Sequence, residues 1–277
     1  MTQASSLGPQ VMGIVNVTPD SFSDGGQHDG PLAVVARAKT LLGHGADLLD
    51  IGGESTRPGA TPVSEAEELG RVLPVIKALR SETSALISVD TYKPTVARAA
   101  VEAGADMWND VTALRSLGAR EVAAELGCQV VLMHMQGDPQ TMQQAPRYED
   151  VVAEVCEFLV QRAQAAVAAG VAKDRIWLDP GIGFGKTLAH NLALMAHLDR
   201  IVALGFPVLL GASRKGLVQH LDPLAQAPTD RLGGSLAAAL AGAKAGVAAV
   251  RVHDVRETVQ ALKVWSAIAE AGISPVR

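Results

Sequence analysis

Asp90, Asn109 and Asp179 each close a short run of strand type, Leu86 to Val89, Asp106 to Trp108 and Ile176 to Leu178. Together they offer carboxylate and carbonyl acceptors in quantity, with one amide able to donate as well. Such a set suits a donor-rich heterocycle. An aminopyrimidinone edge, as in a pterin or guanine, presents an amino group beside a ring N–H, and a carboxylate can pair with both in parallel bonds. Each Asp alone also reads as a helix cap or a solvated turn residue. Three of these residues on one rim argue for recognition. Positive charge gathers elsewhere, at Arg214, Lys215, Arg251 and His253, and suits a phosphate ester or pyrophosphate. Asn16 would be an outer partner for Mg²⁺, which prefers oxygen ligands and bridges substrate phosphates. Met133 and Phe184 would pack against a planar ring or serve as ordinary core. No nucleophile has an obvious base, His134 and His253 lack a triad context, and no HExxH spacing occurs.

The stretch Ile176 to Lys186, Ile-Trp-Leu-Asp-Pro-Gly-Ile-Gly-Phe-Gly-Lys, runs from an apolar strand through a carboxylate into a glycine-rich turn. Only three residues separate Gly181 from Gly185, where the phosphate-cradling nucleotide loop needs four. The dinucleotide fingerprint fails too, because no third glycine stands at the required offset. The turn therefore reads as a place where backbone approaches some other ligand at the carboxyl end of a strand.

Positioning these groups requires a parallel sheet, and the chain alternates strand and helix along its whole length. Eight strands are expected, at Met12 to Val17, Ala46 to Ile51, Leu86 to Val89, Asp106 to Trp108, Gln129 to Met135, Ile176 to Leu178, Pro207 to Gly211 and Ala248 to Val252. Helices lie between them, with apolar residues at steps of three and four, as in Leu69, Val72, Leu73, Ile76 and Leu79. Ser64 with Glu67 reads as a capping box, Pro94 as a first-turn residue, Gly104 and Gly170 as helix ends, and Asp254 with Glu257 as the last cap. Eight such units match a single-domain (β/α)₈ TIM barrel, with a doubly wound open sheet as the alternative. In a barrel the polar residues that follow the strands, including Asn16, Asp50, Glu54, Asp110, His134 and Ser213, converge on one mouth. Two long connections on that face, Thr18 to Gly30 and Gly52 to Val63, are expected to be mobile and to order over substrate.

Composition narrows the class. The chain has 277 residues, is 48% hydrophobic and 19% charged, and carries a net charge of −5. An acidic balance argues against nucleic acid as partner. Residues 1–10 read as a short flexible tail rather than a signal peptide, leaving 11–277 as the catalytic domain. The Ala- and Gly-rich stretch Gly233 to Val252 is broken by Lys244 and reads as helix and strand, not a membrane span. A cytoplasmic protein is expected. Cys128 and Cys156 lack CxxC spacing and read as buried structural thiols.

Taken in order, the motifs Met12-Gly-Ile-Val-Asn-Val-Thr-Pro-Asp-Ser-Phe-Ser-Asp-Gly-Gly26, Asp50-Ile-Gly-Gly-Glu-Ser-Thr-Arg-Pro-Gly59, Ile87-Ser-Val-Asp-Thr91, Asn109-Asp110, Leu132-Met-His-Met-Gln-Gly137, Leu178 to Lys186, Ser213-Arg-Lys215 and Arg251-Val-His-Asp254 resemble the dihydropteroate synthase family over nearly the whole chain. The resemblance implies a pterin-binding TIM barrel that joins 6-hydroxymethyl-7,8-dihydropterin pyrophosphate to p-aminobenzoate in folate biosynthesis, releasing pyrophosphate, with sulfonamides competing for the second substrate. It implies Mg²⁺ as cofactor and a homodimer. By position, Asp90, Asn109, Asp179 and Lys215 would hold the pterin, with Val111, Met133 and Gly211 lining its slot. Asn16, Arg251 and His253 would engage pyrophosphate and Mg²⁺, while Phe22, Thr56, Arg57, Pro58 and Phe184 would enclose p-aminobenzoate. The catalytic set would be Asp90, Asp179, Lys215, Arg251 and His253.

Three positions depart from the family pattern. Gly216 stands where a Ser is common, Ile182 replaces a commoner Phe, and Tyr92 replaces a small residue. Two rivals use related features. Methyltetrahydrofolate-dependent methyltransferases would want Asp90, Asn109 and Asp179 but not Arg251, His253 or the Ser-Thr-Arg-Pro loop, and a pterin-binding paralogue without catalysis would not need intact loops.

Overall fold

The structure, a computed structural model, describes residues 8–17, 30–56 and 59–273. Eight parallel strands are present: β1 (Gln10–Asn16), β2 (Leu48–Gly52), β3 (Leu86–Asp90), β4 (Met107–Asp110), β5 (Gln129–Met133), β6 (Ile176–Asp179), β7 (Leu209–Leu210) and β8 (Ala249–Val252). Neighbours pair in sequence order, and β8 returns to β1 through Gln10↔Ala249. At the β6–β7 seam a parallel bridge, Leu178↔Val208, closes the ring. The chain is therefore a (β/α)₈ barrel, and the open-sheet alternative is overturned.

Ten α-helices occur among the described residues: α1 (Gly30–Gly43), α2 (Glu65–Glu82), α3 (Pro94–Glu102), α4 (Ala119–Leu126), α5 (Val151–Ala168), α6 (Leu188–Ala196), α7 (Leu198–Val202), α8 (Gly216–Leu221), α9 (Leu232–Ala245) and α10 (Val255–Ile273). The count exceeds eight because the segments after β6 and β7 each hold two helices. β7 is shorter than expected. Pro207 has no N–H to give the ladder, and its carbonyl instead accepts from the Leu178 N–H at 2.9 Å.

Caps follow the local chemistry. Ser64 accepts from the Glu67 N–H at 3.2 Å, but the Glu67 carboxylate turns to Arg71, so half of the expected capping box forms. Pro94 opens α3. Asp254 precedes α10, yet its carboxylate binds Arg214 through Nε at 3.0 Å and Nη2 at 2.5 Å. Cys128 is buried, which pushes its thiol up to about 11, while Cys156 is only half-buried.

Packing inside the barrel decides where chemistry can occur. Met12, Leu48, Leu86, Met107, Val131, Trp177, Leu209 and Ala249 pack together, one from each strand. This apolar layer plugs the barrel. Side chains alternate across a strand, so residues two and four positions on share the inward face. Those are Ile14, Asp50, Ser88, Asn109, Met133, Asp179, Gly211 and Arg251, and above them Asn16, Asp90, Val111, Ser213 and His253. The fold thus sets a polar floor on an apolar plug. A second, larger core lies between strands and helices, with Trp108, Ile76, Leu79 and Leu159 fully buried.

Candidate functional site

A cavity of about 820 Å³ opens above that floor. Its walls include Asp90, Asn109, Asp179 and Lys215, with Val111, Met133 and Gly211 between them. Asn16, Arg251 and His253 line the same cavity, as do Thr56 and Phe184. Side chains expected from eight separate stretches are therefore brought together. Phe22, Arg57 and Pro58 lie outside the described residues. Asp110 does not join them. Its carboxylate accepts from the Thr112 and Leu114 N–H groups at 2.7 and 2.8 Å and braces the turn after β4. Burial pushes it up to about 6.

Electrostatics of the floor centre on Arg251. Its Nε donates to Asp50 Oδ2 at 2.6 Å and its Nη2 to Asp90 Oδ2 at 2.7 Å, so the guanidinium bridges two strands. Burial works against the Arg251 charge, but Asp50 and Asp90 outweigh it and hold the pKa above its ordinary value. The sequence reading placed Arg251 with pyrophosphate; the structure puts its charge against two carboxylates at the base of the cavity. Asp50 also accepts from Asn109 Nδ2 at 3.2 Å. A carboxylate only accepts, so this contact fixes which end of the amide faces Asp50.

Asp90 is pushed up to about 7, by burial first, with Asp50 and Glu68 adding to the rise and Arg251 and Lys215 opposing it. Its Oδ1 is buried without a partner, as is Oδ1 of Asp50. Asp179 is raised as well, chiefly by burial, although Gly181 N–H donates to its Oδ1 at 2.6 Å and Lys215 is near. Buried acceptors without donors are costly, so this floor is built to receive N–H groups.

The turn that carries Lys215 is heavily constrained. Arg214 has φ +57, a strained conformation for a residue with a side chain. Its N–H donates to Ser235 Oγ at 2.8 Å, its carbonyl accepts from Arg231 at 3.0 Å, and Asp254 takes its guanidinium. Arg214 thus braces the turn, with its guanidinium paired to Asp254 at the cavity wall. Lys215 Nζ lies 4.1 Å over the Phe184 ring, a cation–π contact that ties the seventh strand's turn to the glycine-rich one. Ser213 Oγ is 3.1 Å from His253 Nδ1 and orients that imidazole.

Sequence reasoning missed the anchor of the second loop. Glu54 accepts from Val63 N–H at 3.0 Å, Tyr92 OH at 3.1 Å and Lys93 Nζ at 2.8 Å, and Lys93 also donates to Glu68 at 2.7 Å. These groups close the root of the connection after β2. Tyr92, a departure from the family pattern, is therefore a tether. Burial first and Glu54 second raise its pKa, so the phenol stays a donor. Tyr92→Phe is expected to lower stability by about 1 kcal/mol, read from the denaturant midpoint at unchanged slope. An unchanged midpoint would mean that the bond contributes nothing.

Known proteins resemble this chain in sequence and in fold. The pterin binding enzyme family matches residues 12–253. The dihydropteroate synthase of Escherichia coli (strain K12) is 49% identical over 263 residues, covering 95% of this chain and 93% of that protein. The chain belongs to the dihydropteroate synthase family. Among solved members, the Xanthomonas albilineans dihydropteroate synthase with 4-aminobenzoic acid has a TM-score of 0.90 and 55% identity, covering 97% of this chain and 94% of that one. The same enzyme in complex with 7,8-dihydropteroate has a TM-score of 0.88 at 51% identity, covering 98% and 97%. Family membership and the barrel expected from the sequence therefore agree.

Proposed function

We propose that the cavity condenses 6-hydroxymethyl-7,8-dihydropterin pyrophosphate with p-aminobenzoate to give 7,8-dihydropteroate and pyrophosphate. The observation that carries this reading is the convergence of buried Asp90, Asn109 and Asp179 and half-buried Lys215 on one cavity, in a chain whose relatives include a solved complex with dihydropteroate. On this reading the carboxylates take the amino and ring N–H groups of the pterin, and Val111 and Met133 contact its face. Asn16 and His253 stand above the floor, near the diphosphate. Phe184 and Thr56 enclose p-aminobenzoate.

The chemistry is dissociative on the same reading. Pyrophosphate leaves, and positive charge develops on a methylene conjugated to the pterin. Asp90 and Asp179 favour that cation because they are buried carboxylates held in place, Asp90 by Arg251 and Asp179 by the Gly181 N–H. An arylamine is unprotonated near neutral pH, so attack requires positioning rather than a strong base. Among the described residues no group of three His, Cys, Asp or Glu side chains is placed to hold a metal. Mg²⁺, which keeps waters and bridges substrate phosphates, would come with the diphosphate, take Asn16 as a protein oxygen and neutralise the leaving group. The protein would act in the cytoplasm as a homodimer. Exposed Val264 and Ile268 on α10 offer an apolar contact surface, and no helix among the described residues is long and apolar enough to cross a membrane. Sedimentation would read the dimer.

Mixing the protein with dihydropterin pyrophosphate, p-aminobenzoate and Mg²⁺ should release pyrophosphate and dihydropteroate in equal amounts. Pterin binding without either product would favour the non-catalytic paralogue. Methyl transfer from methyltetrahydrofolate would favour the methyltransferase.

Asp90 links this function to stability. Its folded pKa of about 7 exceeds the ordinary 3.8, so its contribution to stability is present below 3.8 and is lost as pH rises through about 7. Asp90→Asn removes that loss while Arg251 keeps Asp50. The melting temperature of the variant should gain on the wild type between about pH 5 and pH 8, while turnover falls. Parallel melting curves would show that Asp90 is ionised without penalty.

A further inference from the structure

Lys186 is 3% exposed, yet no carboxylate bonds it. Its Nζ lies 2.8 Å from His134 Nδ1, 3.0 Å from the Gly181 and Phe184 carbonyls and 3.4 Å from the His134 carbonyl. Every neighbour is an acceptor. Burial lowers its pKa to about 7, with Asp179 opposing and Lys215 adding to the drop. Burial also pushes His134 down to about 3, so the imidazole is neutral and its Nδ1 accepts. An apolar residue would fill this space without the desolvation cost of an ammonium. The charge must therefore hold something that an apolar residue would not.

What it holds is the inner edge of the glycine-rich turn. The backbone there passes so close to the segment just after β5 that a Cβ at Gly181 would lie 1.9 Å from the His134 carbonyl oxygen, and one at Gly185 would lie 2.3 Å from that of Gln136. Carbonyls packed this densely repel one another unless a cation sits among them. At one end of the turn, Gly181 N–H donates to Asp179 Oδ1 at 2.6 Å. At the other, the Phe184 ring lies under Lys215 Nζ. Lys186 grips the carbonyls of both residues.

We propose that Lys186 is a positioning residue that makes the turn one rigid bracket between the two substrate half-sites, aiming the Asp179 carboxylate at the pterin and the Phe184 ring at p-aminobenzoate. The inference rests on the proposed function but goes beyond it, because Lys186 need touch neither substrate. Removing the ammonium should loosen both half-sites together, although they are reached through different residues.

The test compares wild type with Lys186→Met, which keeps the length and apolar stem, by steady-state kinetics for each substrate and by calorimetric binding of unreactive 6-hydroxymethylpterin. Wild type that binds no pterin and forms no dihydropteroate sinks the proposed function itself. With an active wild type, Lys186→Met should raise KM for both substrates about tenfold and weaken pterin binding to a similar degree. A variant that melts earlier but keeps both KM values within twofold would overturn the proposal, because a purely structural lysine predicts that outcome. If Lys186→Met fails to fold, Lys186→Gln serves instead. It still donates to carbonyls but is shorter and uncharged, and wild-type affinity for both substrates in that variant would equally overturn the role.

Discussion

Asp179→Asn is expected to lower kcat/KM for dihydropterin pyrophosphate by a factor between roughly 30 and several thousand, since truncating a buried, hydrogen-bonded charge costs about 2–5 kcal/mol. The geometry makes the substitution informative. Asn can keep the Gly181 N–H bond to Oδ1, now at 2.6 Å, so the turn need not move. The other end of the side chain changes from an acceptor to a pair of donors. A pterin edge that brings an amino group and a ring N–H would then meet hydrogen against hydrogen, and a polar site rejects such a mismatch far more strongly than an apolar one. The loss should fall on both binding and turnover, because the same carboxylate would favour the cation that forms when pyrophosphate leaves. Kinetics with the pterin substrate varied and calorimetry with an unreactive pterin separate these contributions. A decrease of less than fivefold in kcat/KM would remove Asp179 from the recognition scheme.

Asp179 is legible in the sequence because an apolar strand runs directly into it and then into a glycine-rich turn, and the period of a strand explains which way it faces. Once Trp177 is placed in the barrel plug, the inward face dictates Asp179 two residues later, and Met107 dictates Asn109 in the same way. Strand existence was legible because apolar runs of this length are buried on both faces. Strand ends were less so. β5 stops at Met133 rather than Met135 because the chain after His134 must pass under the glycine-rich turn. Partner choice was not legible at all. Sequence order gives no sign that Arg251 would bridge Asp50 and Asp90, that Asp254 would hold Arg214 instead of capping α10, or that Lys186 would lie among carbonyls. Such pairings span up to 201 residues and are fixed only by closure of the ring. Tyr92 and Lys93 had one usable signal, a polar pair beside a strand-end carboxylate, but Glu54 lies on a different strand's loop.

Arg251→Met should be the most destabilising change in the cavity. The guanidinium neutralises Asp50, which is fully buried, and Asp90, which is nearly so. Each carboxylate already has one oxygen without a partner. Losing Arg251 strips the other oxygen of Asp90 and leaves that of Asp50 with Asn109 alone. Breaking a buried pair in this way typically costs about 3–5 kcal/mol, whereas an exposed pair contributes roughly 0–1 kcal/mol. For a domain of this size that corresponds to a melting temperature lower by roughly 6–15 °C. The sign of the pH response discriminates the cause. Without the cation the folded-state pKa of Asp90 rises further above its ordinary value, so the missing stability returns as pH falls and deepens as pH rises. Melting curves from about pH 5 to pH 8 should therefore diverge from wild type toward the alkaline end. Arg251→Lys keeps a charge but cannot fork between two carboxylates on different strands, and should recover only part of the difference. A Met variant that melts within about 2 °C of wild type at pH 8 would show that the floor is held by the apolar plug beneath it and that Arg251 is free to serve the diphosphate.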